Sequence, residues 1–144
     1  MQQSISNAEF IKKLIPHREP MIMVDGLQYY DGKKAMCTLR ILESFLFVEN
    51  THFSENGLIE HMAQSTALFT GYKYHLQDLP TKVGFIAAIK NLKIEGLPKV
   101  NDLISTEVQI THEIDNITIV KVRSKVKEST ISSAEMTLVL KENE

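Results

Sequence analysis

Glu60 stands alone as a carboxylate in an apolar stretch of the chain, and this setting suits acid–base chemistry. From Gly57 to Gly71 there is no other Asp, Glu, Lys or Arg, and a helix that is apolar nearly all round is usually a buried one. A buried carboxyl group titrates upward, acquires a hydrogen-bonded partner or faces a cavity. A carboxyl held near neutrality is suited to general acid–base catalysis. In the alternative interpretation, Glu60 lies in the first helical turn because the helix dipole stabilises a negative charge there.

Two histidines, His17 and His52, are candidates for a base that would work with Glu60. His17 directly precedes an apolar strand, and His52 lies eight residues before Glu60. Histidine titrates near neutral pH and is the most frequent general base. In the alternative interpretation, His17 is a structural histidine that is hydrogen-bonded to the backbone, and His52 is a loop histidine on the surface. The other histidines are set aside because they point away from Glu60 or fall near predicted element ends: His61, His75 and His112.

The composition excludes several classes of protein. A chain of 144 residues suits one domain, 1–144, and 16 basic against 18 acidic residues leave no basic field for nucleic-acid binding. No apolar run is long enough to span a bilayer and the amino terminus lacks a signal-peptide pattern, so a soluble, cytoplasmic protein is predicted. The single cysteine, Cys37, excludes an internal disulfide and a cysteine-based zinc site. No histidine pair has the spacing of metal ligands, so no metal is expected.

The amino-terminal half of the chain predicts a short helix, a hairpin and a long helix. Ser6 and Glu9 have capping-box spacing, which indicates a helix that ends before Pro16. Two strand-like runs, 21–30 and 34–42, flank a hairpin turn at Asp31-Gly32. The long apolar helix is predicted to run from about Gly57 to about Leu76, with Ser54 or Asn56 as its cap.

The carboxyl-terminal half alternates in hydrophobicity, as strands do. Four strands are predicted, over residues 83–94, 103–111, 117–126 and 131–140. One long apolar helix followed by antiparallel strands predicts an α+β hotdog fold, in which a curved sheet wraps around the helix. Such a sheet leaves an edge strand and an apolar rim open, so pairing with a second copy is expected.

Three segments, in order, connect the chain to a known family. They are IPHREPMIMVDG at 15–26, GLIEHMAQ at 57–64 and VGFIAAIKNLKIEGLPKVND at 83–102. With them the chain resembles the 3-hydroxyacyl-acyl carrier protein dehydratases, more closely the divergent branch associated with aryl polyene and flexirubin pigment synthesis. The resemblance implies a hotdog homodimer with a tunnel at the dimer interface. There, a His of one protomer and a Glu of the other would act on a 3-hydroxyacyl thioester.

The resemblance can be carried to individual residues, with one departure. Glu60 and Gln64 match the family's Glu and Gln. In the fatty-acid enzymes the base lies in a His-Phe-Pro-Gly motif, whereas here His52-Phe53 is followed by SENG and the intervening loop is shortened. His17 matches the His of the family's PHR motif, which lies near the acyl tunnel without being the base of the fatty-acid enzymes.

Dehydration of a 3-hydroxyacyl thioester needs a base, an acid and a group that stabilises negative charge on the thioester oxygen. We assign His17 ahead of His52 as the base and Glu60 as the acid, and no cofactor is needed. The amides of Gly57 and Leu58 are the predicted oxyanion donors.

The remaining assignments concern the helix turn after Glu60 and the substrate carrier. Gln64 is expected to orient the Glu60 carboxyl or bind the leaving water. The substrate is expected on acyl carrier protein or coenzyme A, in fatty acid or polyene-type lipid or pigment synthesis. Lys12, Lys13 and Arg18 are the predicted docking cations for an acidic carrier. Two alternatives remain, a hotdog thioesterase and a non-catalytic acyl-binding or partner subunit.

Overall fold

Residues 4–141 are described by a computed structural model and form two α-helices and eight β-strands. The helices are α1 (Ala8–Leu14) and α2 (Glu55–Leu76). The strands are β1 (Gly26–Tyr30), β2 (Lys34–Arg40), β3 (Val48–Glu49), β4 (His52–Phe53), β5 (Gly84–Ile94), β6 (Leu103–Ile114), β7 (Ile117–Val126) and β8 (Ser129–Leu140). Neither helix of the described part combines the length and apolarity needed to cross a membrane.

Six of the strands form one antiparallel sheet around the long helix. Their order is β1-β2-β6-β7-β8-β5, and β3 pairs only with β4 in a separate two-stranded ribbon. Helix α2 contacts β2, β5, β6 and β7, so it lies across one face of the sheet. This arrangement confirms the predicted α+β hotdog fold. The outer strands of the six-stranded sheet are β1 and β5.

Alternating burial along the strands confirms the predicted inward faces. The inward-facing residues of β2, the residue that follows β2, and the inward-facing residues of β8 are all buried. They are Ala35, Cys37, Leu39, Ile41, Ala134, Met136, Leu138 and Leu140. Opposite them, α2 buries Leu58, Met62 and Phe69 almost completely. Each such side chain contributes roughly 1.5–3 kcal/mol through removal of apolar surface from water.

The other side of α2 is only half-buried within the protomer. Glu60, Ala63 and Ala67 lie at helical spacing on this side, and all three keep partial solvent exposure. The prediction that the helix is buried all round is therefore wrong for this side. An apolar helix face that the protomer leaves uncovered is available to a ligand or to another chain.

Both helices begin at a different residue from the predicted one. Asn7, not Ser6, caps α1, because its Oδ1 accepts from the amides of Glu9 and Phe10 at 2.9 and 3.1 Å. Helix α2 begins two residues before Gly57, with Ser54 as its cap. Capping is decided by which short polar side chain reaches a free amide, and neighbouring Ser and Asn residues compete for that position.

The first predicted strand is also shorter than expected. The strand covers only Gly26–Tyr30, whereas residues 21–25 precede it without regular structure and bond to β2 only through Asp25. The hairpin turn itself is confirmed, since Asp31 Oδ1 accepts from the amides of Lys33 and Lys34 at 2.9 and 2.8 Å. Gly32 has φ of 89°, a conformation that favours glycine.

Gly71 permits the end of α1 to cross closely over α2. A Cβ atom added at Gly71 would collide with the backbone carbonyl of Leu14, so the chain that leads to His17 would have to move. We expect Gly71→Ala to lower the free energy of unfolding by about 1–2 kcal/mol, because overpacking outweighs the helix propensity gained. Chemical denaturation measures this. Gly96→Ala is the control, since its Cβ would meet only Ile131 at 3.8 Å, and equal stability of both variants would contradict the prediction.

Candidate functional site

Within one protomer, Glu60 lies close enough to His17 to act on its titration. Burial lowers the pKa of His17 below its ordinary value of 6.5, the nearby Glu60 carboxylate partly opposes this, and Arg18 adds to the lowering. The His17 Nδ1 atom is buried and has no hydrogen-bond partner among the described residues. A lowered pKa keeps the imidazole neutral at neutral pH, with one ring nitrogen free to accept a proton.

The backbone around His17 is fixed by its neighbour. Arg18 Nη1 donates to the carbonyl oxygens of Ile15 and His17 at 3.0 and 2.6 Å. His17 borders a small cavity of about 20 Å³, which is also lined by Ala67 of α2 and Gly84 of β5. The candidate base therefore lies where the half-buried side of α2 meets the edge strand of the sheet.

His52 is engaged with its own turn instead. Its Nδ1 lies 3.2 Å from the carbonyl oxygen of Asn50 and 3.4 Å from Oγ1 of Thr51. Its backbone pairs with Glu49 in the β3–β4 ribbon and forms a bridge to Lys99. The side chain of His52 is thus bonded to residues 50 and 51, whereas the Glu60 carboxylate acts on the pKa of His17. His17 as the base stays a prediction.

The predicted oxyanion donors require a correction. The amide of Gly57 donates to Ser54 Oγ at 3.2 Å, and the amide of Leu58 donates to the Ser54 carbonyl at 3.0 Å. Gly57 also faces the Cβ atom of Phe47 and the ring of Phe53, which an added Cβ atom would overlap. The prediction is wrong because it assumed a helix start at Gly57. With Ser54 as the cap, the outward-pointing amides of the first turn are those of Glu55 and Asn56.

The role predicted for Gln64 also requires a correction. Its side chain is completely buried. Its Oε1 accepts from the amide of Met23 at 2.6 Å and its Nε2 donates to the carbonyl of Met21 at 2.7 Å. The amide is therefore committed to the backbone of residues 21–23 and does not bind the leaving water.

His61, which the sequence analysis set aside, is the most extensively bonded histidine in the described part of the chain. It is fully buried. Its Nδ1 lies 2.7 Å from the Met23 carbonyl and its Nε2 lies 2.7 Å from Thr106 Oγ1, which in turn lies 2.7 Å from Ser124 Oγ. Burial lowers the pKa of His61 to about 4. The signal was its position on an apolar helix, where a buried polar side chain requires partners.

Only one of the predicted docking cations, Lys12, is paired with acidic side chains. Its Nζ lies 2.8 Å from Glu19 and 3.7 Å from Glu9, whereas Arg18 bonds backbone carbonyls and Lys13 is exposed. An acidic carrier would have to compete with Glu19 for Lys12, and the docking role of these cations stays a prediction. No three His, Cys, Asp or Glu side chains within residues 4–141 are grouped as a metal site.

Comparison with solved structures shows the same fold. The dehydratase heterocomplex ApeI:P from Xenorhabdus doucetiae superposes with a TM-score of 0.85 at 10% identity, covering 92% of this chain and 91% of that chain. A hypothetical thioesterase with coenzyme A from Streptococcus pneumoniae superposes with a TM-score of 0.64 at 11% identity, covering 81% and 85%. At these identities the likeness establishes the fold alone, since one fold carries several activities.

Comparison of sequences is more specific. The 3-hydroxyacyl-[acyl-carrier-protein] dehydratase FabZ of Bacillus velezensis is 30% identical over 139 residues, which cover 92% of this chain and 96% of that protein. The FabZ of Lactobacillus helveticus is 25% identical over 144 residues and 95% of both chains. The model of the ApeP-like family, described as ApeP dehydratase, matches residues 9–143. The chain therefore belongs to the ApeP-like dehydratase family.

Proposed function

We propose that the chain removes water from a 3-hydroxyacyl thioester carried by acyl carrier protein and releases the trans-2-enoyl thioester. The observation that carries the proposal is the buried Nδ1 of His17, which has no hydrogen-bond partner among the described residues and belongs to an imidazole that the Glu60 charge reaches. The Glu60 carboxyl group on α2 is partly solvated. A base and an acid on one half-buried surface are what the elimination requires. Family membership supports the same reaction.

In this mechanism the two side chains act on adjacent carbons. His17 takes the proton from carbon 2, and the electrons of that C–H bond move toward the thioester carbonyl. Glu60 gives its proton to the hydroxyl on carbon 3, whose C–O bond breaks to release water as the double bond forms. The amides of Glu55 and Asn56 at the start of α2 stabilise the negative charge on the thioester oxygen. Transfer of one proton from His17 to Glu60 restores the starting state.

A product assay tests the proposal. The protein is incubated with a 3-hydroxyacyl group on acyl carrier protein, and separately on pantetheine, and the products are identified by mass spectrometry. Loss of one water with the thioester intact supports the dehydratase. A free thiol and a 3-hydroxy acid would indicate a thioesterase instead, and an unchanged substrate would indicate a non-catalytic acyl-binding subunit.

We further propose that the protein is a homodimer joined along β5. Within residues 4–141 this strand pairs with β8 alone, so its outer edge offers backbone groups that another strand can pair with. It also exposes large apolar side chains, including Phe85 at 53% and Ile89 at 40%. Pairing there would extend the sheet and cover the half-buried side of α2. One of the similar solved structures is a dehydratase heterocomplex. In the alternative, a second hotdog protein pairs with β5 in place of a second copy of this chain.

A charge on β5 should separate the subunits. Light scattering of the unmodified protein is expected to return twice 16.4 kDa, whereas Ile89→Lys should return the single mass because a buried unpaired charge opposes association. Ile114→Lys is the matched control, since this residue is 68% exposed at the end of β6, away from that edge. An active monomer of the unmodified protein would contradict the homodimer. A monomer that becomes active only with a second dehydratase subunit would support the heteromeric alternative.

A further inference from the structure

We infer that Gln64 and His61 are positioning residues that hold the His17-bearing segment at its place beside Glu60, an inference that rests on the function proposed above. One turn of α2 makes three hydrogen bonds to the backbone of residues 21–23, and we call this set the α2 clamp. Gln64 bonds the Met23 amide at 2.6 Å and the Met21 carbonyl at 2.7 Å. His61 bonds the Met23 carbonyl at 2.7 Å.

A single hydrogen bond links the clamped segment to Arg18, the residue next to His17. The amide of Met21 donates to the carbonyl of Arg18 at 2.9 Å, and the sheet holds this segment at its other end, where the amide of Asp25 donates to the Thr38 carbonyl at 2.9 Å. Glu60 precedes His61 directly on the same helix. The helix that carries the candidate acid therefore also holds the backbone that carries the candidate base, and the clamp sets the distance between them.

The sheet fixes the orientation of the His61 ring. Burial lowers the pKa of His61 to about 4 and so favours the neutral imidazole. In that form Nδ1–H donates to the Met23 carbonyl, Nε2 accepts from the hydroxyl of Thr106, and the Thr106 oxygen can accept from the hydroxyl of Ser124. Since neither His61 nor Gln64 is exposed to solvent, these residues act through the backbone of the 21–23 segment and not by contact with substrate.

Two substitutions of His61 distinguish its bond to the Met23 backbone from its bond to Thr106 of the sheet. In His61→Asn the side-chain amide lies where Nδ1 was, so it keeps a donor for Met23 but does not reach Thr106. In His61→Gln the amide reaches Thr106 and loses the bond to Met23. Both variants are measured for kcat and KM on a 3-hydroxyacyl pantetheine thioester. The pKa of His17 is followed by NMR titration of its ring protons, which needs no turnover.

The clamp predicts unequal effects of the two variants. His61→Gln should lower kcat about tenfold to a hundredfold with KM changed by less than about threefold, because a small displacement of a catalytic group affects the chemical step. It should also raise the pKa of His17 toward 6.5, since burial is the main cause that lowers it. His61→Asn should keep both quantities close to those of the unmodified protein.

Equal losses in the two variants, with the His17 pKa unchanged in both, would overturn the clamp and leave His61 as a structural residue only. If His61→Gln fails to fold, Thr106→Val and Thr106→Ser replace the two His61 variants, because only Ser keeps the hydroxyl that orients the ring. A pKa of His17 that is raised in Thr106→Val and not in Thr106→Ser supports the clamp. Equal His17 pKa values in the two variants would overturn it. A protein that turns over no 3-hydroxyacyl thioester would contradict the proposed function, while the His17 titration would still decide the clamp.

Discussion

The Glu60→Gln variant is expected to fold and assemble normally and to lose about a hundredfold or more in kcat. Gln has nearly the same shape as Glu but does not donate a proton to the departing hydroxyl, and removal of a positioned acid costs a factor in this range. The fold should tolerate the change because Glu60 is only half-buried and makes no ion pair among the described residues. Steady-state kinetics on a 3-hydroxyacyl pantetheine thioester measure the loss.

Glu128→Gln is the control for this experiment. Glu128 is exposed in the turn between β7 and β8, so neutralising it changes the net charge equally without touching the site. Circular dichroism and light scattering establish that both variants are folded and assembled. Full activity in a folded Glu60→Gln protein would remove Glu60 from the mechanism.

Replacement of His17 is expected to stop the removal of the carbon 2 proton. His17→Ala should lower solvent deuterium exchange at that carbon by about 10² to 10⁴, the usual contribution of a general base, whereas His52→Ala should leave most of it. His52 bonds only its own turn, while His17 lies near Glu60. Mass spectrometry of substrate recovered from deuterated buffer measures the exchange. The reverse result would return the base to His52, supplied by the other protomer.

The pH profile provides an independent check on the same residue. A general base has to be neutral to accept a proton, and burial lowers the pKa of His17. The neutral form therefore stays populated to a lower pH than for an ordinary histidine. The acid limb of the kcat/KM profile should accordingly have its midpoint below pH 6.5. An acid limb above that value would contradict His17 as the base.

The local parts of the fold followed from sequence because their causes lie close together along the chain. Asp31 and Gly32 determine the hairpin through their own turn, and alternation of apolar residues determines which face of β2 and β8 is buried. The helix signal was equally local. Its start was misplaced by two residues, since Ser54 and Asn56 are both good caps and only the packing of Gly57 against Phe53 decides between them.

Side-chain pairing over long separations was decided by tertiary structure. Lys12 was predicted from sequence as a docking charge, whereas in the structure its Nζ lies 2.8 Å from Glu19. His61 had no visible partner because its partners, Met23 and Thr106, are 38 and 45 residues away. A single sequence contains the residue types but not their distances, and burial shifts a pKa or satisfies a polar atom only through those distances.

The amino-acid sequence by itself determined the α+β hotdog fold and the dehydratase family and singled out Glu60 as the candidate acid, because periodicity and short motifs depend on residue order alone. Only the tertiary structure showed that the Glu60 charge acts on His17, that the free helix amides are those of the first two residues of α2, and that Gln64 bonds the backbone of residues 21–23. The start of α2 depends on which of two neighbouring polar side chains caps it. The other two depend on contacts between the 15–25 segment and α2, which are distant in sequence and which no local pattern records.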